Sequence, residues 1–409
     1  MDKEPKWMSI TGEPLDLENS SSFLGNCSSI KTFEAINTLG EGAYGVVTRS
    51  RDIRDSSIVA IKQLHILPSE RHNGIPVTAL REISILRSLR HENIINVLDV
   101  AASEERLEDV YMVMEYCEQD LASLMDDQDV RFKLSEVKCL AKQLLSGLEY
   151  IHRNDIIHRD VKLENILLTG KGILKLADFG MSRQFERRPL SPGVVTIWYR
   201  APEILLESQH YGPVVDLWSA GLIIGELLLN EPILPGDNSL HQLSLIVMLL
   251  GTPEPEGIAS LETMRCEALR RWQREEMSRG RPNNLNRKFA HDTTEGTVKF
   301  LGGLLRWDPN ERWTATEALG KGKHPPSRAV AWWEERPRPV SKDMLPTFRE
   351  SRNEEKQHAR EPKQFEVEVR GGGKHAAETS TSEFGGYSFD FGDDASASKA
   401  ENPHKKRRR

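Results

Sequence analysis

His158-Arg159-Asp160-Val161-Lys162-Leu163-Glu164-Asn165, with Asp178-Phe179-Gly180 thirteen residues further on, is the stretch from which the rest of the chain can be read. Before it runs a helical pattern with Val137, Leu140, Leu144, Leu148 and Ile151 along one face and Ser135 as the expected N-cap. After it comes Ile166-Leu167-Leu168, an apolar run of strand length. The charged stretch therefore lies in a loop at the end of a buried helix. Such a loop is either a solvated surface or a place where side chains meet a ligand. The residue types favour the second reading. Asp160 can take a proton from a hydroxyl, and Lys162 can neutralise developing negative charge. Asn165 and Asp178 offer hard oxygens of the kind magnesium prefers.

Toward the N-terminus the chain changes character. Residues 33 to about 113 hold the β-rich runs Val46-Val47-Thr48, Ile58-Val59-Ala60-Ile61 and Val110-Tyr111-Met112-Val113. One helical pattern interrupts them, with Val77, Leu80, Ile83 and Leu86 spaced by three behind Pro76 as a start signal. After about residue 119 helical patterns dominate. The expected fold is α+β and bilobal: a small β-rich lobe over 33–118, a larger helical lobe over 119–350, and a ligand cleft between them.

Gly40-Glu41-Gly42-Ala43-Tyr44-Gly45-Val46 is a weak signal by itself, because such turns also occur in dinucleotide folds and plain hairpins. A dinucleotide fingerprint opens a helix, whereas β-branched residues follow here, so the segment reads as a hairpin whose backbone can approach phosphates. Val59-Ala60-Ile61-Lys62 then ends an apolar strand in a lysine, which is costly to bury unpaired. Glu82, on the one helix of the small lobe between Leu80 and Ile83, is its expected partner.

Taken in order, these segments and Ala201-Pro202-Glu203 make the chain resemble the protein kinase superfamily from about Phe33 to Glu350. The resemblance implies a phosphotransferase using ATP and Mg2+, with Asp160, Lys162, Asn165 and Thr196 catalytic and Asn165 and Asp178 binding the metal. Around the nucleotide it places Leu39, Gly40, Glu41, Gly42, Ala43, Tyr44, Gly45, Val46, Val47, Ala60, Lys62 and Glu82. By the same resemblance Met114 is the gatekeeper, Glu115 to Cys117 form the hinge, and Leu167 lies below the adenine. Glu203 is expected to pair with Arg312, and Asp216 to anchor the catalytic loop from a buried helix.

Pro76-Val77-Thr78-Ala79-Leu80-Arg81-Glu82 further resembles the cyclin-contacting helix of cyclin-dependent kinases of the CMGC group, in its PITSLRE or PISSLRE form. The run Cys117-Glu118-Gln119-Asp120-Leu121-Ala122-Ser123-Leu124 brings it nearer the PISSLRE type. This implies a cyclin partner of L or M type and proline-directed serine/threonine substrates. It also implies that Glu82 reaches Lys62 only once cyclin has packed on the helix. A phosphate on Ser191 would then be held by Arg81, Arg159 and Arg183. Ser191 stands where the family usually has threonine, in a slightly shortened loop. Ala43 replaces a threonine used elsewhere for inhibition, which leaves Tyr44 for that control. Val195 aligns with the residue whose unsatisfied carbonyl favours proline after the target hydroxyl. A cyclin-independent kinase of the same group and a catalytically silent ATP-binding scaffold are the alternatives.

Hydrophobic residues make up 38% of the 409 and charged residues 29%, the balance of a soluble globular protein with disordered segments attached. Residues 1–32 read as a flexible leader and 351–409 as a disordered tail. Within that tail Phe384–Phe391 is either a docking peptide or sticky disorder. Met1–Ile10 lacks an apolar core, and Leu217–Leu229 is short and contains Glu226, so neither a secretory signal nor a membrane span is expected. The net charge of −7 points away from direct nucleic-acid binding. Cys27, Cys117, Cys139 and Cys266 form no CxxC pair and fit a reducing compartment. His404–Arg409 reads as a nuclear signal or a solvated end; with the kinase resemblance it favours the nucleus, with cytoplasmic residence compatible.

Overall fold

Val59, Ala60, Ile61, Met112, Val113 and Met114 are all buried, and their two strands lie at the centre of a sheet. The computed structural model describes residues 27–42, 45–64, 77–103, 109–126, 130–185, 197–208, 211–253, 267–291 and 293–346. Ala43, Tyr44, Pro76, Ser191, Val195, Thr196, Cys266 and the tail lie outside the described residues.

The six strands are β1 (Ser28–Ser29), β2 (Phe33–Gly42), β3 (Gly45–Asp52), β4 (Ile58–Gln63), β5 (Val97–Ala102) and β6 (Val110–Glu115). Their order is β1-β5-β6-β4-β3-β2, antiparallel except for β1, which runs parallel to β5. Ordered structure thus begins before Phe33, within the expected leader. Ser28 Oγ donates to Asp99 on β5, and Arg54 bonds both Asp52 and Ser28. Helix α1 (Val77–Ser88) packs on this sheet. Its buried positions are Ala79, Glu82 and Leu86, with Ile83 half-buried. Leu80, expected inside, is 49% exposed: i, i+3 spacing drifts around a 3.6-residue helix and turns it outward.

The larger lobe is built on two long helices, α3 (Leu134–Arg153) and α5 (Val214–Leu229); the short α2 (Leu121–Met125) precedes them and the short α4 (Pro202–Leu205) lies between them in the chain. Val137, Leu140, Leu144, Leu148 and Ile151 are all buried, as their spacing requires. The N-cap, however, is Lys133 rather than Ser135. Glu136 reaches back to accept the Lys133 N–H at 2.7 Å, which places Ser135 inside the first turn. Helix α5 is buried from Val215 to Leu227, including Trp218. Short strands β7 (Gln119–Asp120), β9 (Ile166–Leu168) and β10 (Leu174–Leu176) form one small sheet, and β8 (Ile156–Ile157) pairs with β11 (Arg183–Gln184). No helix among the described residues is long and apolar enough to cross a membrane.

Two buried cations tie distant segments together. Arg312 makes a bidentate pair with Glu203 at 2.6 and 3.0 Å and also bonds the Val214 and Arg306 carbonyls. Lys138, fully buried in α3, donates to the carbonyls of Trp332 and Glu335 at the C-terminal end of Ser327–Glu334, and burial lowers its pKa. Removing one partner of a buried pair strands the other charge, at a cost of about 3–5 kcal/mol. Arg312→Met should therefore lower unfolding stability by roughly that amount in a urea titration. A shift no larger than that of an exposed arginine would show that the pair is dispensable.

Candidate functional site

Strand β4 delivers Lys62 to the mouth between the lobes because its register sets Lys62 opposite Val47 on one side and Met112 on the other. Its ammonium lies 2.8 Å from Glu82 Oε1 and 3.1 Å from Asp178 Oδ1. Burial works against the charge, but Glu82 and Asp178 hold the pKa above the usual lysine value. Burial likewise opposes Asp178, yet Lys62 keeps its carboxyl below the usual range. Glu82 meets Lys62, the pairing expected from the sequence. Ile83 and Leu86 pack inward beside it, and Asp178 supplies a second carboxylate to the ammonium.

Asp178 takes a left-handed backbone (φ 59°, ψ 77°) at the start of the turn Phe179–Met181, and its carboxylate accepts the Gly180 N–H. Phe179 is completely buried and meets the His158 ring edge-on at 4.7 Å. His158 Nε2 bonds the Ala177 carbonyl at 3.0 Å. Beneath them Asp216, 1% exposed, accepts the His158 and Arg159 amides at 2.9 Å each and the His152 ring at 2.8 Å. Burial opposes its charge, and the His152 contact holds its carboxyl below the usual range.

The loop anchored in this way places Asp160, Lys162 and Asn165 together. Asn165 Nδ2 donates to the Asp160 carbonyl at 2.8 Å and to Asp160 Oδ2 at 2.9 Å; Lys162 Nζ lies 3.3 Å from the same oxygen. Because the amide spends its nitrogen on Asp160, Asn165 Oδ1 and Asp178 Oδ2 are the hard oxygens here that could hold a cation. Among the described residues no three His, Cys, Asp or Glu converge on an ion.

Around the nucleotide position Gly40, Glu41 and Gly42 on β2 pair with Val47, Val46 and Gly45 on β3, which confirms a hairpin. A side chain at Gly40 would meet nothing within 4 Å, and Gly45 has φ 128°, a value suited to glycine. Ala60 faces Met114 across the ladder, and both are buried; Leu39 is 44% exposed and Leu167 half-buried. Glu115 Oε1 accepts both the Lys175 ammonium at 2.8 Å and the Asn96 amide at 2.7 Å, which fixes the side chain. Burial pushes the Cys117 thiol up to about 12, which makes it inert. Burial and then the charges of Arg81 and Arg159 lower the pKa of Arg183.

Sequence reasoning missed the support of the turn Ile197–Tyr199. Tyr199 donates its hydroxyl to Glu226 Oε2 at 2.7 Å, and Ser219 donates to the Tyr199 carbonyl at 2.8 Å. The signal was present: Glu226 interrupts an otherwise apolar helix.

The protein kinase domain family matches residues 33–322, the class that this fold and site define. A human protein, cyclin-dependent kinase 10, is 41% identical over 336 residues, covering 81% of this chain and 87% of its own length. A probable cyclin-dependent kinase 10 of Dictyostelium discoideum is 40% identical over 325 residues, covering 78% and 84%. The yeast RNA polymerase II CTD kinase CTDK-1 complex contains a chain with a TM-score of 0.66 and 32% identity, over 76% of this chain and 96% of that one. The CAK complex of Chaetomium thermophilum bound to ATP-γ-S gives 0.65 and 31%, over 77% and 95%. The chain belongs to the cyclin-dependent kinase family, and it is a serine/threonine protein kinase. The PISSLRE-type reading of its helix agrees with these relatives.

Burial raises the Glu226 carboxyl from 4.5 to about 7, with the Tyr199 hydroxyl opposing and Glu164 adding to the rise. The folded chain therefore binds the extra proton between those values. The contribution is complete below about pH 4.5 and is lost as pH rises through about 7. In urea titrations across that window the midpoint should fall with rising pH, and Glu226→Gln should flatten the fall. An equal slope in the variant would assign the dependence to other groups.

Proposed function

We propose that this chain is a cyclin-activated, proline-directed serine/threonine kinase of the nucleus, with its kinase domain over 33–350. The observation that carries the reading is the double convergence in the cleft: Lys62 on Glu82 and Asp178, and Asn165 and Lys162 on Asp160. Magnesium-bound ATP supplies the transferable γ-phosphoryl group and neutralises its charge. Lys62, held by Glu82, lies where it can steady the α- and β-phosphates. Asn165 Oδ1 and Asp178 are the protein ligands proposed for Mg2+. Asp160 orients the acceptor hydroxyl and receives its proton, while Lys162 offsets charge on the transferring group. Thr196 completes the proposed catalytic set, and Leu39 to Val47, Ala60, Met114 to Cys117 and Leu167 enclose the nucleotide.

Regulation follows from the small lobe. Leu80 and its helix offer an exposed apolar surface to a cyclin, of L or M type on the sequence resemblance. Cyclin bound to this helix would favour the arrangement in which Glu82 meets Lys62. The Arg81, Arg159 and Arg183 cluster is a receptor for a phosphate on Ser191, whose charge would relieve their mutual repulsion. The names of the relatives and the basic end His404–Arg409 support a nuclear role, and serine or threonine followed by proline is the proposed target.

Asp160→Asn in the full chain should lower peptide phosphorylation by about 100-fold or more while leaving ATP binding in place. Retention of wild-type turnover would remove Asp160 from the chemistry. On a peptide array, replacing the residue after the target by alanine should abolish most labelling. Equal labelling would contradict the proline preference. Pull-downs with L- and M-type cyclins, paired with activity of the purified single chain, test the partner. Full activity without cyclin would favour the cyclin-independent alternative.

A further inference from the structure

The last two turns of α3 carry a face that the cleft does not use. Ser146, Glu149, Tyr150 and Arg153 recur there at three- and four-residue spacing and line a recess of about 540 Å³. His91, from the loop after α1, and Lys321, from the loop after Ala315–Ala318, complete the lining. Lys321 stands between Gly320 and Gly322, whose φ values of 68° and 99° favour glycine, so Gly320-Lys321-Gly322-Lys323 is a shaped turn.

Hydrogen bonding divides this lining unevenly. Glu149, its one carboxylate, has both oxygens occupied: Oε1 accepts the Thr316 hydroxyl at 3.1 Å and Oε2 accepts Lys321 at 2.6 Å. The donors are mostly uncommitted. Arg153 is exposed and has no hydrogen bond or ion pair among the described residues. The Lys321 side chain is 54% exposed and keeps N–H groups beyond the one given to Glu149. Tyr150 accepts the Arg90 amide at 2.9 Å, and its own hydrogen meets no acceptor among the described residues. His91 accepts the Asn93 amide on Nδ1 at 3.0 Å, and burial lowers its pKa. The neutral ring therefore carries its hydrogen on Nε2, 3.4 Å from Ser146 Oγ. Asn154, also in the lining, spends its amide nitrogen on the Tyr150 carbonyl. Lys323, His324 and Arg328 follow in the chain, all exposed and none paired among the described residues.

Two cations, spare N–H and O–H donors and a spent carboxylate make a recess complementary to an anion. The plain structural reading makes Lys321, Glu149 and Thr316 a brace, and Arg153 a cation favourably placed at a helix C-terminus. It accounts for both charges but not for a cavity to which Tyr150 and His91 bring spare hydrogens as well. A carboxylate offers two oxygens. A phosphate monoester offers three and nearly two charges, which better match a guanidinium fork, an ammonium and two neutral donors. The volume is that of a site for a larger ligand, so the phosphate would arrive on a side chain with peptide around it. We propose that this recess docks a phosphoserine or phosphothreonine of another protein, with Arg153 as its bidentate anchor and Lys321 as the second cation. It shares no residue with the cleft, so docking and phosphoryl transfer are separable.

Binding is measured without ATP, which makes the outcome independent of the kinase reading. The full chain is titrated with fluorescent peptide libraries that have random flanks and phosphoserine, serine or glutamate fixed at the centre. Phosphoserine should bind about tenfold tighter than serine, the size expected of one charge-assisted hydrogen bond, with glutamate between them. Arg153→Ala should remove most of that gain and Arg153→Lys part of it. Arg153 is exposed and unpaired among the described residues, so both variants should unfold at the wild-type midpoint. Equal binding of the phosphoserine and serine libraries overturns the site. A preference that survives Arg153→Ala overturns it too, and its loss in Arg183→Ala would assign the phosphate to the Arg81, Arg159 and Arg183 cluster. Inorganic phosphate that displaces the peptide at the peptide's own concentration would make this a free-anion site and overturn the protein ligand.

Discussion

A single buried carboxylate holds the catalytic loop in register. Asp216 comes from a helix that is otherwise almost wholly apolar, and it satisfies two consecutive backbone amides of the loop together with the His152 ring. A charge in that position is tolerable only because three donors surround it. In return it gives Arg159 a left-handed backbone (φ 73°) that a non-glycine residue adopts rarely and at a cost. Asp160, Lys162 and Asn165 inherit their positions from this strained, over-determined turn.

The second constraint joins the lobes. Lys62 belongs to a strand, Glu82 to the helix packed on that strand's sheet, and Asp178 to a turn of the helical lobe. One ammonium thus requires three independently folded elements to agree within about 3 Å. Phe179, packed on His158 and fully buried, carries the same agreement through apolar contact. Charge pair and packing thus depend on the same relative placement of the two lobes.

The glycine hairpin, the lysine strand, the catalytic loop and the two lobes were all legible in the chain, because each rests on local pattern. Glu203 and Arg312 were paired by resemblance, and the structure places them 2.6 Å apart. The failures were of another kind. Leu80 was placed inside because its spacing looked right, and Ser135 was read as a cap because its side chain is suitable. Helical drift and a glutamate reaching back from the third position decided otherwise. Glu226 was seen as an oddity in an apolar run, yet its partnership with Tyr199, 27 residues earlier, lies beyond any local rule.

The sequence by itself determined the class of chemistry, since proton transfer, metal binding and phosphate neutralisation each demand particular side chains in a particular order. Only the tertiary structure decided which carboxylates are spent and which remain free. Glu115 Oε1 is shared by Lys175 and the Asn96 amide, and Asn165 turns its nitrogen to Asp160. Glu226 spends Oε2 on the Tyr199 hydroxyl. The reason is physical: the identity of a side chain is local, but its hydrogen-bond partners and its desolvation depend on elements brought together from across the chain.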